Sequence, residues 1–119
     1  MKNRIRAFEN AFKGIAQGVR EEFHLRIHVT IALLVIATGF IFKITKTEWL
    51  IVLLCLAMVV SAELFNAAIE KLADRITAQK DPLIGAAKDI AAGAVLITAM
   101  LSLVIGIIIF LPYVCTFLF

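Results

Sequence analysis

Apolar residues in this chain occur in three long runs that short polar stretches separate. The first run begins at Ile27, the second at Trp49 and the third near Leu83. A helix needs about 20 apolar residues to cross the hydrocarbon core of a bilayer, so the runs indicate three membrane-spanning helices. The predicted spans are residues 27–42, 49–74 and 84–112.

The first 26 residues follow a different pattern. Apolar side chains recur there at helical spacing, and basic side chains fall between them. The apolar positions are Ile5, Phe8, Phe12, Ile15 and Val19. Such a pattern is typical of an amphipathic helix that lies on the membrane surface. A helix that packs against soluble protein is the alternative, although little of the chain is left to form such a partner.

Composition supports a membrane protein. Of the 119 residues, 62% are hydrophobic, against about 45–50% apolar residues in an ordinary soluble domain. The mean hydropathy of +0.99 argues against a small water-soluble enzyme. The length allows one domain only, so we expect a single all-α membrane domain over residues 1–119.

The basic residues predict the orientation of this domain. Of the 12 lysines and arginines, six precede the first span and four lie around the connection of the second span to the third, from Lys71 to Lys88. The other two lie between the first and second spans. Positively charged loops stay on the cytoplasmic side of a membrane. The N-terminus is therefore predicted to be cytoplasmic and the C-terminus to be outside.

A polar stripe interrupts the second span. Glu63, Asn66, Glu70 and Asp74 follow each other at intervals of three or four residues, which places all four on one helical face. Glu63 lies about 21 Å along the helix from Trp49, inside the hydrocarbon core. An ionised side chain costs about 2.5–3.5 kcal/mol at the bilayer centre, so Glu63 needs a functional reason.

Further polar residues lie at the same membrane depth. Glu22 precedes the first span, and Lys88 and Asp89 start the third. Carboxylates that converge repel one another unless a cation separates them, and carboxylates that leave room for water and substrate phosphates suit Mg²⁺. The alternative is a set of interhelical salt bridges, for example between Glu70 and Lys88.

Other candidate sites are weaker. His24 and His28 are four residues apart, but no usual third metal ligand accompanies them, and we interpret both as interfacial histidines that face lipid headgroups. Cys55 and Cys115 lie in apolar runs without metal-site spacing, as small hydrophobic residues do. The basic residues lack the interleaved aromatic residues of a nucleic-acid surface, so no nucleic-acid partner is expected.

Small residues recur at every fourth position in the third span. They are Ala94, Thr98, Ser102 and Gly106. In lipid, such a series lets helices approach closely, within one protomer or between copies. A pore lining is the less favoured alternative.

Two sequence blocks resemble a known family. Ala62–Arg75 contains the pattern E-x-x-N-x-x-x-E-x-x-x-D, and Ala87–Leu96 contains A-K-D-x-x-x-x-A-V-L. Together they resemble the small prokaryotic integral-membrane diacylglycerol kinases, a family that includes the undecaprenol kinases. The resemblance implies a homotrimer with three spans and a surface helix per protomer. It also implies that MgATP phosphorylates a lipid hydroxyl at active sites shared between neighbouring subunits.

The resemblance also implies roles for individual residues. Glu63 would be the general base that accepts the proton of the lipid hydroxyl. Glu22 and Glu70 would hold Mg²⁺. The nucleotide-binding residues would be Asn66, Lys88, Asp89, Glu22 and Glu70, with Asp74 and Arg26 in support. Residues 79–81 depart from the nucleotide loop of the diacylglycerol-specific members.

The leading hypothesis is an ATP-dependent lipid kinase of the bacterial inner or plasma membrane. Its product would be phosphatidic acid from diacylglycerol or undecaprenyl phosphate from undecaprenol, and the residues leave this choice open. A small proton-coupled transporter or channel subunit that uses Glu63 is the first alternative. A non-catalytic assembly subunit is the second, and it leaves the carboxylates unexplained.

Overall fold

The computed structural model describes residues 2–119, which form four helices and no strand. The helices are α1 (Lys2–Glu21), α2 (Phe23–Phe42), α3 (Lys46–Ile76) and α4 (Pro82–Leu118). Helices α2, α3 and α4 are long and apolar enough to cross a membrane. The predicted all-α fold with three spans is therefore confirmed, whereas the homotrimer stays a prediction.

Helix α1 ends earlier than predicted, at Glu21 rather than residue 26, and residue 1 of the predicted segment lies outside the described residues. Glu22 adopts an extended backbone, with φ −102° and ψ 113°, and α2 begins directly after it. Helix α2 thus starts at Phe23, four residues before the predicted start of the first span. The amide of Arg26 donates to the Glu22 carbonyl and closes the first turn of α2.

One glycine lets α1 contact the rest of the molecule. Gly18 is the buried residue of α1. A Cβ atom there would lie 2.9 Å from Leu25 Cδ2 and 3.0 Å from Leu64 Cδ2. Most large apolar side chains of α1 stay exposed, and Phe8 and Phe12 are each 70% exposed. This arrangement fits a helix whose apolar face enters the membrane surface.

A tight turn joins α2 to α3. Lys43 has a φ of 52°, the left-handed conformation that often ends a helix. Thr45 then caps α3: its hydroxyl accepts from the Glu48 amide, and the Glu48 carboxylate accepts from the Thr45 amide. Because of this capping box, α3 begins at Lys46, three residues before the predicted start.

The break between α3 and α4 lies where Pro82 predicts it. Asp81 caps α4 by accepting from the amides of Leu83 and Ile84, and Pro82 occupies the first turn, where its missing N–H costs nothing. At the other end α4 continues through Pro112 to Leu118. The helix therefore extends six residues beyond the predicted end of the span at 112, because a transmembrane helix tolerates an interior proline.

The best-packed part of the molecule surrounds the α2–α3 turn. We call this region the hairpin end: residues 39–56 together with 105–117. Ile44, Val52 and Ile109 are buried there, and aromatic side chains pack around them. The Tyr113 hydroxyl donates to Glu48, so that α4 is tied to the start of α3. The opposite end holds the predicted site residues and is called the site end: residues 18–28, 63–77 and 81–89.

Candidate functional site

Burial changes along the polar stripe of α3. Glu63 is 5% exposed and Asn66 is 8% exposed. Glu70 is half-buried, and Asp74 is exposed. The stripe thus runs from the interior of the molecule to its surface at the site end, and a carboxylate stands at its most buried position.

Asn66 has an unsatisfied oxygen. Within the part of the chain that the structure describes, Asn66 Oδ1 is fully buried and accepts no hydrogen bond. A buried polar atom without a partner costs about 1–3 kcal/mol. A polar ligand or a neighbouring subunit would supply the missing donor. A side chain that only stabilises the fold would have its donor within the molecule.

The structure brings His28 to Glu63. His28 Nε2 lies 3.8 Å from Glu63 Oε2, close enough for an electrostatic contact and too long for a direct hydrogen bond. The interpretation of His28 as a residue facing headgroups is therefore wrong, because α2 packs this side of its first turns on α3. His24 is exposed, and its ring contacts Phe23 edge to face. The sequence feature that could have identified His28 as a site residue is its position as an ionisable side chain inside the first apolar run.

Lys71 connects the α1–α2 junction to α3. Its Nζ atom lies 2.7 Å from Glu21 Oε2 and 3.8 Å from Glu22 Oε1. The hydrogen bond from Lys71 lowers the pKa of the Glu21 carboxyl below its ordinary value. Lys71 directly follows Glu70 in α3, so Glu22 lies beside the helical turn that carries Glu70. The structure therefore brings the two predicted magnesium ligands to the same part of the site end.

Lys88 pairs with a different carboxylate from Glu70, the partner that the sequence analysis considered. Its Nζ atom donates to Asp74 Oδ1 at 2.6 Å and joins α4 to the last turns of α3. The salt bridge between Glu70 and Lys88 is absent from the ion pairs of residues 2–119. Asp89 is exposed beside Lys88. The Lys88–Asp74 pair thus keeps the Lys88 ammonium group beside the polar stripe of α3.

Arg26 contacts the backbone at the end of α1. Its guanidinium donates to the carbonyl oxygen of Arg20 at 2.5 Å. This contact satisfies a carbonyl at the end of α1, where the helix cannot. The observed role of Arg26 is thus to hold the α1–α2 junction, from which Glu22 extends.

The donors at the site end fit a magnesium ion. Across residues 2–119 no three histidine, cysteine or acidic side chains form a cluster that could hold a metal. Mg²⁺ does not need one, since it keeps several waters and binds through one or two carboxylates together with substrate phosphates. Glu22 makes no side-chain capping bond to α2, and Glu70 directly precedes Lys71, whose Nζ atom lies 3.8 Å from Glu22. These two carboxylates are of the ligand type that Mg²⁺ prefers and could hold the ion.

Known proteins resemble the chain over nearly its whole length. Residues 9–110 match the family model of prokaryotic diacylglycerol kinase. The chain is 41% identical over 108 residues to the undecaprenol kinase of Bacillus subtilis (strain 168), a match that covers 91% of this chain and 88% of that protein. It is 29% identical over 111 residues to a diacylglycerol kinase of Synechocystis, which covers 92% of this chain and 63% of that protein.

Proposed function

Because the chain belongs to the prokaryotic diacylglycerol kinase family and is a membrane lipid kinase, we propose that its lipid substrate is undecaprenol. The γ-phosphate of ATP would be transferred to the hydroxyl of this lipid to give undecaprenyl phosphate and ADP. The identity to an undecaprenol kinase, 41% against 29% for a diacylglycerol kinase, supports this choice. Diacylglycerol is the second candidate.

The buried carboxylate of Glu63 carries the mechanistic proposal. A membrane-dissolved alcohol reaches its kinase through the bilayer, so the group that accepts its proton must lie within the membrane. Glu63 is 5% exposed on a spanning helix and meets this requirement. Its carboxylate accepts the hydroxyl proton while the alcohol oxygen bonds to the γ-phosphorus, and the β–γ bridging oxygen leaves with ADP.

The other polar groups of the site end position the nucleotide. Phosphoryl transfer depends mainly on positioning and on neutralising the charge of the phosphates. Lys88 and Asp89 contact the nucleotide, and Asn66 orients the reacting groups through its free Oδ1. Glu22 and Glu70 would hold Mg²⁺, which would neutralise the charge of the phosphates. Asp74 keeps the Lys88 ammonium at the entrance of the site.

In the proposed topology, the site end faces the cytoplasm. The N-terminus and the α3–α4 loop face the cytoplasm, where ATP is available, and the C-terminus lies outside. The ten basic residues on one side against two on the other support this orientation.

Three copies of the chain assemble as a homotrimer. The buried oxygen of Asn66, unpartnered in one copy, is consistent with a site that a neighbouring subunit completes.

Family membership does not support the transporter or channel alternative for Glu63, because both relatives are kinases.

A single experiment tests which lipid is the substrate. The purified protein is reconstituted with labelled ATP, Mg²⁺ and either undecaprenol or diacylglycerol. We expect labelled undecaprenyl phosphate as the main product. Efficient labelling of diacylglycerol with none of undecaprenol would overturn the proposal.

A further inference from the structure

An apolar groove lies between α2, α3 and α4. Its volume is about 580 Å³, and it is open along one side, within the range of about 300–1,000 Å³ that is usual for ligand pockets. The lining is almost entirely apolar and includes Val35, Val52, Leu56 and Phe110. Such a surface inside a membrane binds hydrocarbon rather than a polar ligand.

One end of the groove lies at the proposed proton acceptor. His28 lines this end, and its Nε2 atom is 3.8 Å from Glu63 Oε2. A chain in the groove would therefore place its terminal hydroxyl next to the buried carboxylate. The groove thus ends at a residue that contacts Glu63.

The length of the groove favours one long chain. Its lining on α4 extends from Ala99 to Val114, which is about 22 Å at the rise of an α-helix. One leaflet of the hydrocarbon core is only about 15 Å thick. The acyl chains of diacylglycerol lie within a leaflet, whereas a long polyprenyl chain extends past the bilayer midplane.

Gly106 keeps the middle of the groove open. It lines the groove, and a Cβ atom added to it would meet no neighbour within 4 Å. The close helix packing predicted for the small-residue series is therefore absent at Gly106 within the protomer. Space at this position is available to a ligand.

We propose that this groove binds the polyprenyl chain of the lipid substrate, with the hydroxyl at Glu63 and the tail along Gly106 toward the hairpin end. The proposal rests on the proposed function and adds to it a subsite for chain length. Branched methyl groups repeat along a polyprenyl chain, and the wide passage at Gly106 accommodates them.

Gly106→Leu tests the subsite. The variant narrows the groove about 10 Å along α4 from Ala99, deeper than a two-isoprene alcohol reaches. We expect kcat/KM for undecaprenol to fall by about tenfold or more, since misfits of one methylene in apolar pockets cost at least this much. Geraniol, with two isoprene units, should be phosphorylated as before, which shows that the variant is folded.

Ala37→Leu is the matched control. Ala37 is exposed on α2 and does not line the groove, so neither substrate should be affected. An unchanged undecaprenol rate in Gly106→Leu, or equal losses for both alcohols, overturns the groove assignment; equal losses with a changed oligomeric state identify a second copy of the chain as its occupant. A wild-type protein that phosphorylates neither alcohol instead overturns the proposed substrate, and the subsite with it.

Discussion

The two ends of the molecule use polar residues in opposite ways. At the hairpin end, the Glu48 carboxylate accepts from the Thr45 amide and from the Tyr113 hydroxyl, above a buried apolar cluster. At the site end, Glu63 has one contact at 3.8 Å and the oxygen of Asn66 has none among residues 2–119. The polar groups of the hairpin end are thus satisfied, whereas the buried part of the polar stripe at the site end is left available, although the exposed charges around it are paired.

This difference separates stability from function. Satisfied polar groups and close apolar packing fix a structure, whereas a buried polar group without a partner lowers stability and is retained where a ligand uses it. Substitutions at the hairpin end should therefore change the unfolding temperature and spare turnover. Substitutions of the polar stripe at the site end should lower turnover and leave the unfolding temperature nearly unchanged.

The largest effect is expected at Glu63. Glu63→Gln keeps the shape of the side chain and removes the proton acceptor, so kcat should fall about 10²–10⁴-fold, as for general bases. ATP binding, measured by calorimetry, should be retained, and the unfolding temperature should not fall. Near-normal turnover in this variant would show that another group accepts the proton.

A smaller effect is expected at the two proposed magnesium ligands. Glu22→Gln and Glu70→Gln should each raise the Mg²⁺ concentration for half-maximal rate by about tenfold or more, because a neutral amide is a weaker ligand than a carboxylate. Magnesium titrations at saturating ATP measure this shift. Glu9→Gln, on the exposed part of α1, is the control. An unchanged magnesium requirement in both variants would place the ion elsewhere.

The smallest effect on activity is expected at Gly39. A Cβ atom there would lie 2.7 Å from Trp49 Cη2 and 3.2 Å from Ile44 Cδ1. Gly39→Ala should therefore destabilise the hairpin end by about 1–3 kcal/mol and leave the rate per folded molecule unchanged. Thermal unfolding in detergent checks the first expectation and an activity assay the second.

Gly14→Ala is the matched control for Gly39→Ala, since nothing lies within 4 Å of an added Cβ atom at Gly14. It should be neutral or slightly stabilising, as alanine favours helix over glycine. Equal unfolding temperatures for the two variants would show that the hairpin end is less tightly packed than the structure indicates. A loss of turnover in Gly39→Ala at full stability would break the separation between the two ends.

Sequence periodicity determined much of this molecule. The apolar runs indicated three helices long enough to cross a membrane, whatever their packing. The spacing of Glu63, Asn66 and Glu70 placed them on one face of α3 by helix geometry alone. Helix ends were less accessible to sequence reasoning. The capping box at Thr45 and the continuation of α4 past Pro112 depend on local hydrogen bonds that hydropathy does not report.

Only the tertiary structure decided which polar groups meet. The sequence suggested Glu70 for Lys88, and packing of α4 on α3 gives it Asp74 instead. Packing of α2 brings His28 to Glu63 and opens the apolar groove beside them. Periodicity fixes the face of a helix on which a residue lies, because it is a property of one helix. The partner across an interface depends on the rotation and depth of two helices, which no single segment encodes.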